Sequence, residues 1–296
     1  MGRELAAAFP AARHVFQEVN EALGQDLTRL MFEGPEDELT LTVNAQPALM
    51  AVSLATMRVL ESAGGINISR DTRLVAGHSL GEYSALAAVG SISIGDAARI
   101  LRVRGRAMQE AVPIGLGGMA AVQLDLPEAS QIAAQAAEDE ICAAANDNAP
   151  RQVVLSGAIR ALKRALALAA SLGARRSVML PVSAPFHCQM MAPAAMRLKE
   201  ALADVRIMAP CVPLISNVTA SSVAHGEDIR RLLVDQVTSM VRWRESMQRM
   251  IGQGVTTIVE VGAGRVLSGL ARRIDKNVTA IPVGTPADVE AFLASS

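Results

Sequence analysis

Apolar residues recur at helical spacing from 12 to 23, and again from 47 to 60, where Gln46-Pro47 marks the expected start. A short apolar run at 74–76 reads as a strand, followed by a glycine-bounded turn and a helical pattern over 81–88. The next helix is expected to open at Asp96 as its N-cap and to run to about Glu110. Gly115-Leu116-Gly117-Gly118 then marks a boundary.

Beyond it the rhythm changes to strand 119–124, helix 127–138, strand 141–145, strand 152–156, helix 158–172 and strand 175–180. That βαββαβ order is the pattern of a ferredoxin-like unit. After it, strands at 212–215 and 257–261 alternate with helices at 188–202, 229–237, 243–251 and 266–274, which predicts a return to a parallel sheet. The expectation is therefore an α/β protein whose large domain, 1–115 and 184–296, carries an inserted small domain, 116–183.

Composition fits this plan. Hydrophobic residues make up 51% of the 296 but aromatics only 2%, so the core is built from Ala, Leu, Val, Ile and Met, as suits helices packed on a sheet. A formal net charge of -1 gives no global field for nucleic acid or an anionic membrane. Cys142, Cys188 and Cys211 have no metal-ligand spacing and an odd count, so reduced thiols are expected. The opening Met1-Gly2-Arg3-Glu4-Leu5 lacks a signal-peptide pattern, and no later apolar run is long enough to span a bilayer; a cytoplasmic protein is expected.

Gly77-His78-Ser79-Leu80-Gly81 fits G-x-S-x-G between a predicted strand and a predicted helix, where a sharp turn would lift Ser79 as a nucleophile. Both glycines are expected because a side chain at either would collide with the neighbouring strand or helix. The Leu80 backbone N–H is the natural oxyanion donor. A serine hydroxyl needs a base, and there are 4 histidines to choose from. His14 and His225 read as surface residues and His78 should point away from the nucleophile, which leaves His187 by elimination. Asp96, Glu110 and Asp147 are formally available as a third triad member, but none follows a strand in a way that recommends it.

With Gly77 to Leu86 in view, the sequence resembles the malonyl-CoA:acyl carrier protein transacylases over nearly its whole length. Further blocks carry the resemblance: Thr42 to Leu49, Arg104 to Ala111, Asn146 to Pro150, the segment around His187, and Glu260 to Leu267. It implies an α/β-hydrolase-like large domain with a ferredoxin-like insert and the active site between them. It also implies a Ser79–His187 dyad in place of a triad, with the histidine oriented by the backbone carbonyl of Gln236. Arg104 is implied as the cation that holds the malonyl carboxylate, with Gln46, Phe186, Asn146 and Asn217 around the substrate. Phe186 matches the residue that accompanies malonyl over branched methylmalonyl substrates. No metal or bound cofactor is implied, malonyl-CoA being a substrate, and a monomer is expected.

One departure stands out. The family's usual opening strand and Gly-Gln-Gly-Ser-Gln loop, whose first glutamine gives a second oxyanion donor, has no counterpart ahead of Met1; the expectation is that the natural product starts upstream. Positions 150–199 carry no Asp or Glu but several basic residues, among them Lys163, Arg164 and Arg176, which are expected to steer an acidic acyl carrier protein. Other readings remain: a serine esterase or thioesterase, a catalytically weakened acyltransferase-like subunit, or a malonyl transferase of a malonate decarboxylase or polyketide system.

Overall fold

The computed structural model describes residues 1–182 and 184–295. Ser183 and Ser296, the ends of the expected small and large domains, lie outside the described residues. The chain is α/β with mixed sheets. Its strands are β1 (Val75–Ala76), β2 (Gly117–Val122), β3 (Cys142–Ala149), β4 (Gln152–Ala158), β5 (Val178–Met179), β6 (Leu214–Ile215), β7 (Ser222–Val223), β8 (Thr257–Val261) and β9 (Thr279–Val283).

The expected parallel sheet is realised as two small ones. β1 pairs parallel with β6, which turns antiparallel onto β7, and β8 pairs parallel with β9. Helices cover them on a core that runs from Leu5 to Val289 and includes Met50, Leu86, Leu101 and Leu198. β7, β9 and the helix Pro286–Ser295 were not anticipated.

Between these parts, β2 to β5 form a four-stranded antiparallel sheet in the order β3-β4-β2-β5. Helices Leu126–Ala137 and Ile159–Ser171 pack against it on a separate apolar cluster that includes Val122, Ile132, Leu155 and Leu162. The strand over 175–180 is reduced to two residues, whereas β3 continues past 145 to Ala149. β3 is irregular on either side of Asn146 and Asp147, which stay paired with Val154 and Val153 of β4 while the strand also bridges to Val241: Val241 N–H donates to Ala145 at 2.8 Å and Asp147 N–H donates to Val241 at 3.0 Å. Such bulges re-aim a strand beside a site.

Two predicted helix starts shift. Ser93 is the N-cap of helix Ile94–Glu110: its Oγ accepts from the Asp96 N–H at 3.0 Å and donates to the Asp96 carboxylate at 2.7 Å. A serine hydroxyl both accepts and donates, so it closes the reciprocal cap one turn ahead of the acid. The other long helix spans Thr42–Gly64 with Pro47 inside it. Burial of Ala48, Met50, Ala51 and Leu54 outweighs the one hydrogen bond that a proline removes. The earlier start brings the first turn against Gly105, where an added Cβ would lie 2.6 Å from the Thr42 carbonyl oxygen. This close approach sets Gln46 beside Arg104.

Candidate active site

β1 ends at Ala76, the chain turns through Ser79 in the left-handed region at φ 53, and helix Gly81–Ala88 begins. A Cβ on Gly77 would lie 1.9 Å from the backbone of Gly81, so the turn excludes any side chain there. At Gly81 the same test meets nothing within 4 Å, so its expected collision is corrected: one glycine of the pair makes the turn possible. Gly81, Glu82 and Tyr83 donate their N–H groups back to His78, Ser79 and Leu80. The Leu80 N–H has no acceptor among the described residues and stays available to an incoming oxyanion.

His187 reaches this turn from the segment that follows β5. It too is left-handed, at φ 60, and is 4% exposed. Its Nε2 lies 2.8 Å from Ser79 Oγ, and its Nδ1 lies 2.9 Å from the carbonyl oxygen of Gln236. A carbonyl can only accept, so Nδ1 carries the proton and Nε2 presents a lone pair to the hydroxyl. Burial, helped by the positive charge of Arg104, lowers the imidazole to about 3, so the ring is neutral. Among the described residues no carboxylate completes a triad: Asp96 sits in its cap, Glu110 pairs with Arg197 at the surface, and Asp147 receives Arg244 Nε at 3.0 Å.

Arg104 is the largest wholly buried side chain, at 2% exposure. Its Nη1 donates to Gln46 Oε1 at 2.6 Å, and its Nη2 donates to Gln236 Oε1 at 2.9 Å and to Ser79 Oγ at 3.0 Å. All three acceptors are neutral oxygens, and Nε has no partner among the described residues. A guanidinium taken out of water onto neutral acceptors costs several kcal/mol, roughly, unless an anion arrives. Such an arrangement can receive a small acid beside the nucleophile.

Asn217 locks the turn from the other side. Its Oδ1 accepts from the Ser79 N–H at 2.7 Å and its Nδ2 donates to the Gly77 carbonyl at 2.8 Å. Glu82, which the sequence reading did not single out, joins both sides: it accepts from the Asn217 N–H at 2.6 Å and from the Gln236 side-chain amide. Burial pushes its carboxyl up to about 8, against the pull of these donors and of Arg104. A signal was present, since Glu82 is the single charged residue from Gly81 to Ala88.

The remaining candidates divide. Phe186, beside the base, is half-buried and packs on the apolar groups of both the main core and the β3–β4 edge. Asn146 is buried at the irregular part of β3, but no hydrogen bond joins its side chain to Ser79, His187 or Arg104 among the described residues. His78 points away from Ser79, as expected, and lies 2.8 Å from Asn148 Oδ1 and 5.5 Å from the Trp243 ring. His14 and His225 are exposed. Of the basic residues, Lys163 and Arg176 are exposed, with no ion pair or side-chain hydrogen bond among the described residues, but Arg164 is spent on the fold. It donates to the carbonyls of Ala136 and Ala137, which close helix Leu126–Ala137, and to Glu140 at 2.8 Å.

Residues 1–283 match the acyl transferase domain family. The malonyl CoA-acyl carrier protein transacylase of Bacillus subtilis (strain 168) is 43% identical over 292 residues, which cover 98% of this chain and 90% of that protein. The solved acyl-carrier-protein-S-malonyltransferase of Bartonella henselae superposes with a TM-score of 0.97 at 51% identity, over 100% of this chain and 94% of that one. The malonyl-transacylase solved with its type II polyketide acyl-carrier protein, PlMCAT:AntF, gives 0.96 at 40% identity, over 100% and 95%. With a serine–histidine pair in the turn and a buried arginine beside it, the chain belongs to the malonyl-CoA:acyl carrier protein transacylase family.

Proposed function

We propose that the chain transfers malonyl from malonyl-CoA to the phosphopantetheine thiol of an acyl carrier protein of fatty-acid synthesis, through an ester on Ser79. The observation that carries this reading is Arg104: a buried cation whose acceptors are all neutral and whose Nη2 lies 3.0 Å from the nucleophile. A planar guanidinium suits a carboxylate, which is what distinguishes malonyl from acetyl.

In the first half-reaction His187 Nε2 takes the Ser79 proton as Oγ attacks the thioester carbon. The Leu80 N–H bonds the oxygen that becomes negative, and Gln236 O holds the imidazolium through Nδ1. Collapse of the tetrahedral species breaks the C–S bond, and His187 returns its proton to the coenzyme A sulfur. The second half-reaction reverses this order. The carrier thiol gives its proton to His187 and attacks the acyl carbon, and Ser79 leaves with that proton.

Gln46, Gln236 and Phe186 would shape the acyl pocket and Asn217 would hold the turn, while Asn146 would border the pocket from β3. The fold reading is an α/β-hydrolase-like domain, 1–115 and 184–296, with a ferredoxin-like insert, 116–183; the order β3-β4-β2-β5 and the separate apolar cluster support the insert. We propose that a monomer suffices, because Ser79, His187, Arg104 and Gln236 all come from one chain. The cycle uses no cofactor.

The test is intact mass of the protein mixed with malonyl-CoA, with acyl carrier protein added afterwards. The expected result is a malonyl adduct on the native chain, none on Ser79→Ala, and loss of the adduct to the carrier faster than to water. An adduct that water clears equally fast would favour a thioesterase.

A further inference from the structure

We propose that Glu82 is a positioning residue for acyl transfer, and that it acts through the Gln236 side-chain amide to hold Arg104 ready for the substrate carboxylate. This rests on the reading of Arg104 as the malonyl ligand. The argument begins with what a carboxylate can do: ionised, it accepts hydrogen bonds and gives none. Although burial raises the Glu82 carboxyl to about 8, the N–H donor on each of its oxygens and the nearby Arg104 favour that form. Both Glu82 contacts are donors, the Asn217 N–H at 2.6 Å and the Gln236 NH2 group. The amide must therefore turn its nitrogen to Glu82, and its second hydrogen goes to the Ser79 carbonyl at 3.1 Å. Its oxygen is left facing the opposite way, onto Arg104 Nη2 at 2.9 Å.

Gln46 Oε1 on Nη1 tethers the other arm of the fork. The guanidinium plane is thus set by two amide oxygens, and the direction of one of them is set by Glu82. Glutamine at position 82 would present an NH2 group to one of two donors. Half a turn of the Gln236 amide would relieve the clash there but would put its own NH2 against Arg104. When the new NH2 faces Gln236, this turn costs Arg104 its Nη2 tether and the Ser79 carbonyl its amide donor, while Gln46 on Nη1 and the Gln236 carbonyl on His187 stay in place.

The experiment measures acyl-enzyme formation from malonyl-CoA and from acetyl-CoA by the full-length protein, as a ratio of rates, together with the thermal midpoint. Glu82→Gln is expected to lower the malonyl:acetyl ratio about tenfold. In an Arg104→Ala background the same change is expected to leave the ratio where it is, because the route runs through Arg104. A merely structural role would lower both rates together, so a wild-type ratio in Glu82→Gln overturns the proposal whatever happens to the overall rate. If that variant fails to fold, Glu82→Asp, whose carboxylate stops one methylene short, is expected to lower the ratio about threefold, and an unchanged ratio overturns the proposal equally. A native protein with no preference for malonyl would instead overturn the reading of Arg104.

Discussion

Arg104 Nη2 donates to Ser79 Oγ at 3.0 Å, on the same hydroxyl that lies 2.8 Å from His187 Nε2. The cation thus sits between two tasks. It favours a negative oxygen on Ser79, yet it disfavours a positive charge on His187. A malonyl carboxylate that neutralised Arg104 would remove the second effect and leave the base free to take a proton, so recognition and activation share one group.

Arg104→Met is therefore expected to separate stability from activity. The buried charge on neutral acceptors goes, so the thermal midpoint should hold or rise. With Arg104 as the proposed malonyl ligand, two charge-assisted hydrogen bonds to the carboxylate would go as well, each worth about 1.5–3 kcal/mol, so malonyl transfer should fall by roughly 10² or more. Melting curves and transfer rates on the same preparation check this, and a variant that melts early while keeping its malonyl rate contradicts it.

What the sequence made legible here follows from distance along the chain. The turn 77–81 is local, with spacing that has mechanical meaning, so Ser79 and the free Leu80 amide could be read directly. His187 came by elimination and Gln236 by resemblance alone, because a backbone carbonyl leaves no trace in residue identity. Glu82 was missed because an acid in a first helical turn ordinarily complements the helix dipole in water, and its burial depends on Asn217 and Gln236, both well over a hundred residues away. The helix starts at Ser93 and Thr42 shifted because a serine cap and the packing of Gly105 outweighed the signals of Asp96 and Pro47.

The buried, neutral His187 predicts an acid limb in stability. Its folded value, about 3, lies below its ordinary 6.5, so between these two pH values the unfolded chain binds one proton more than the folded one. Stability is then full above about 6.5 and falls by roughly 1.4 kcal/mol per pH unit below it. Between pH 6.5 and 5 the wild type should lose about 2 kcal/mol more than His187→Asn, as read by urea unfolding. Parallel losses in the two proteins would remove His187 as the cause.

The two glycines of the turn should behave differently. Gly77→Ala puts a Cβ 1.9 Å from the Gly81 backbone, and no rotation of a side chain can clear it. The turn must open, with a stability loss of about 3 kcal/mol or more and loss of the Ser79–His187 contact. Gly81→Ala meets open space, and in a helical residue it should cost nothing or stabilise by up to about 1 kcal/mol. Acyl-enzyme formation and melting of both variants decide the matter, and an inactive, unstable Gly81→Ala would contradict the geometry.

The basic residues also divide into two kinds. Arg164 closes a helix end and pairs with Glu140, so Arg164→Glu should lower the thermal midpoint while leaving carrier recognition in the surviving folded protein unchanged. Lys163 and Arg176 are exposed and have no ion pair among the described residues, so they add to the local field without closing an element. Reversing both should leave melting unchanged and raise the KM for acyl carrier protein about three- to tenfold at low salt, an effect that fades as salt screens it. The KM for malonyl-CoA should stay where it was. If the double reversal leaves the carrier KM unmoved at low ionic strength, these two residues do not face the docked carrier, and its acidic surface must be met elsewhere on the chain.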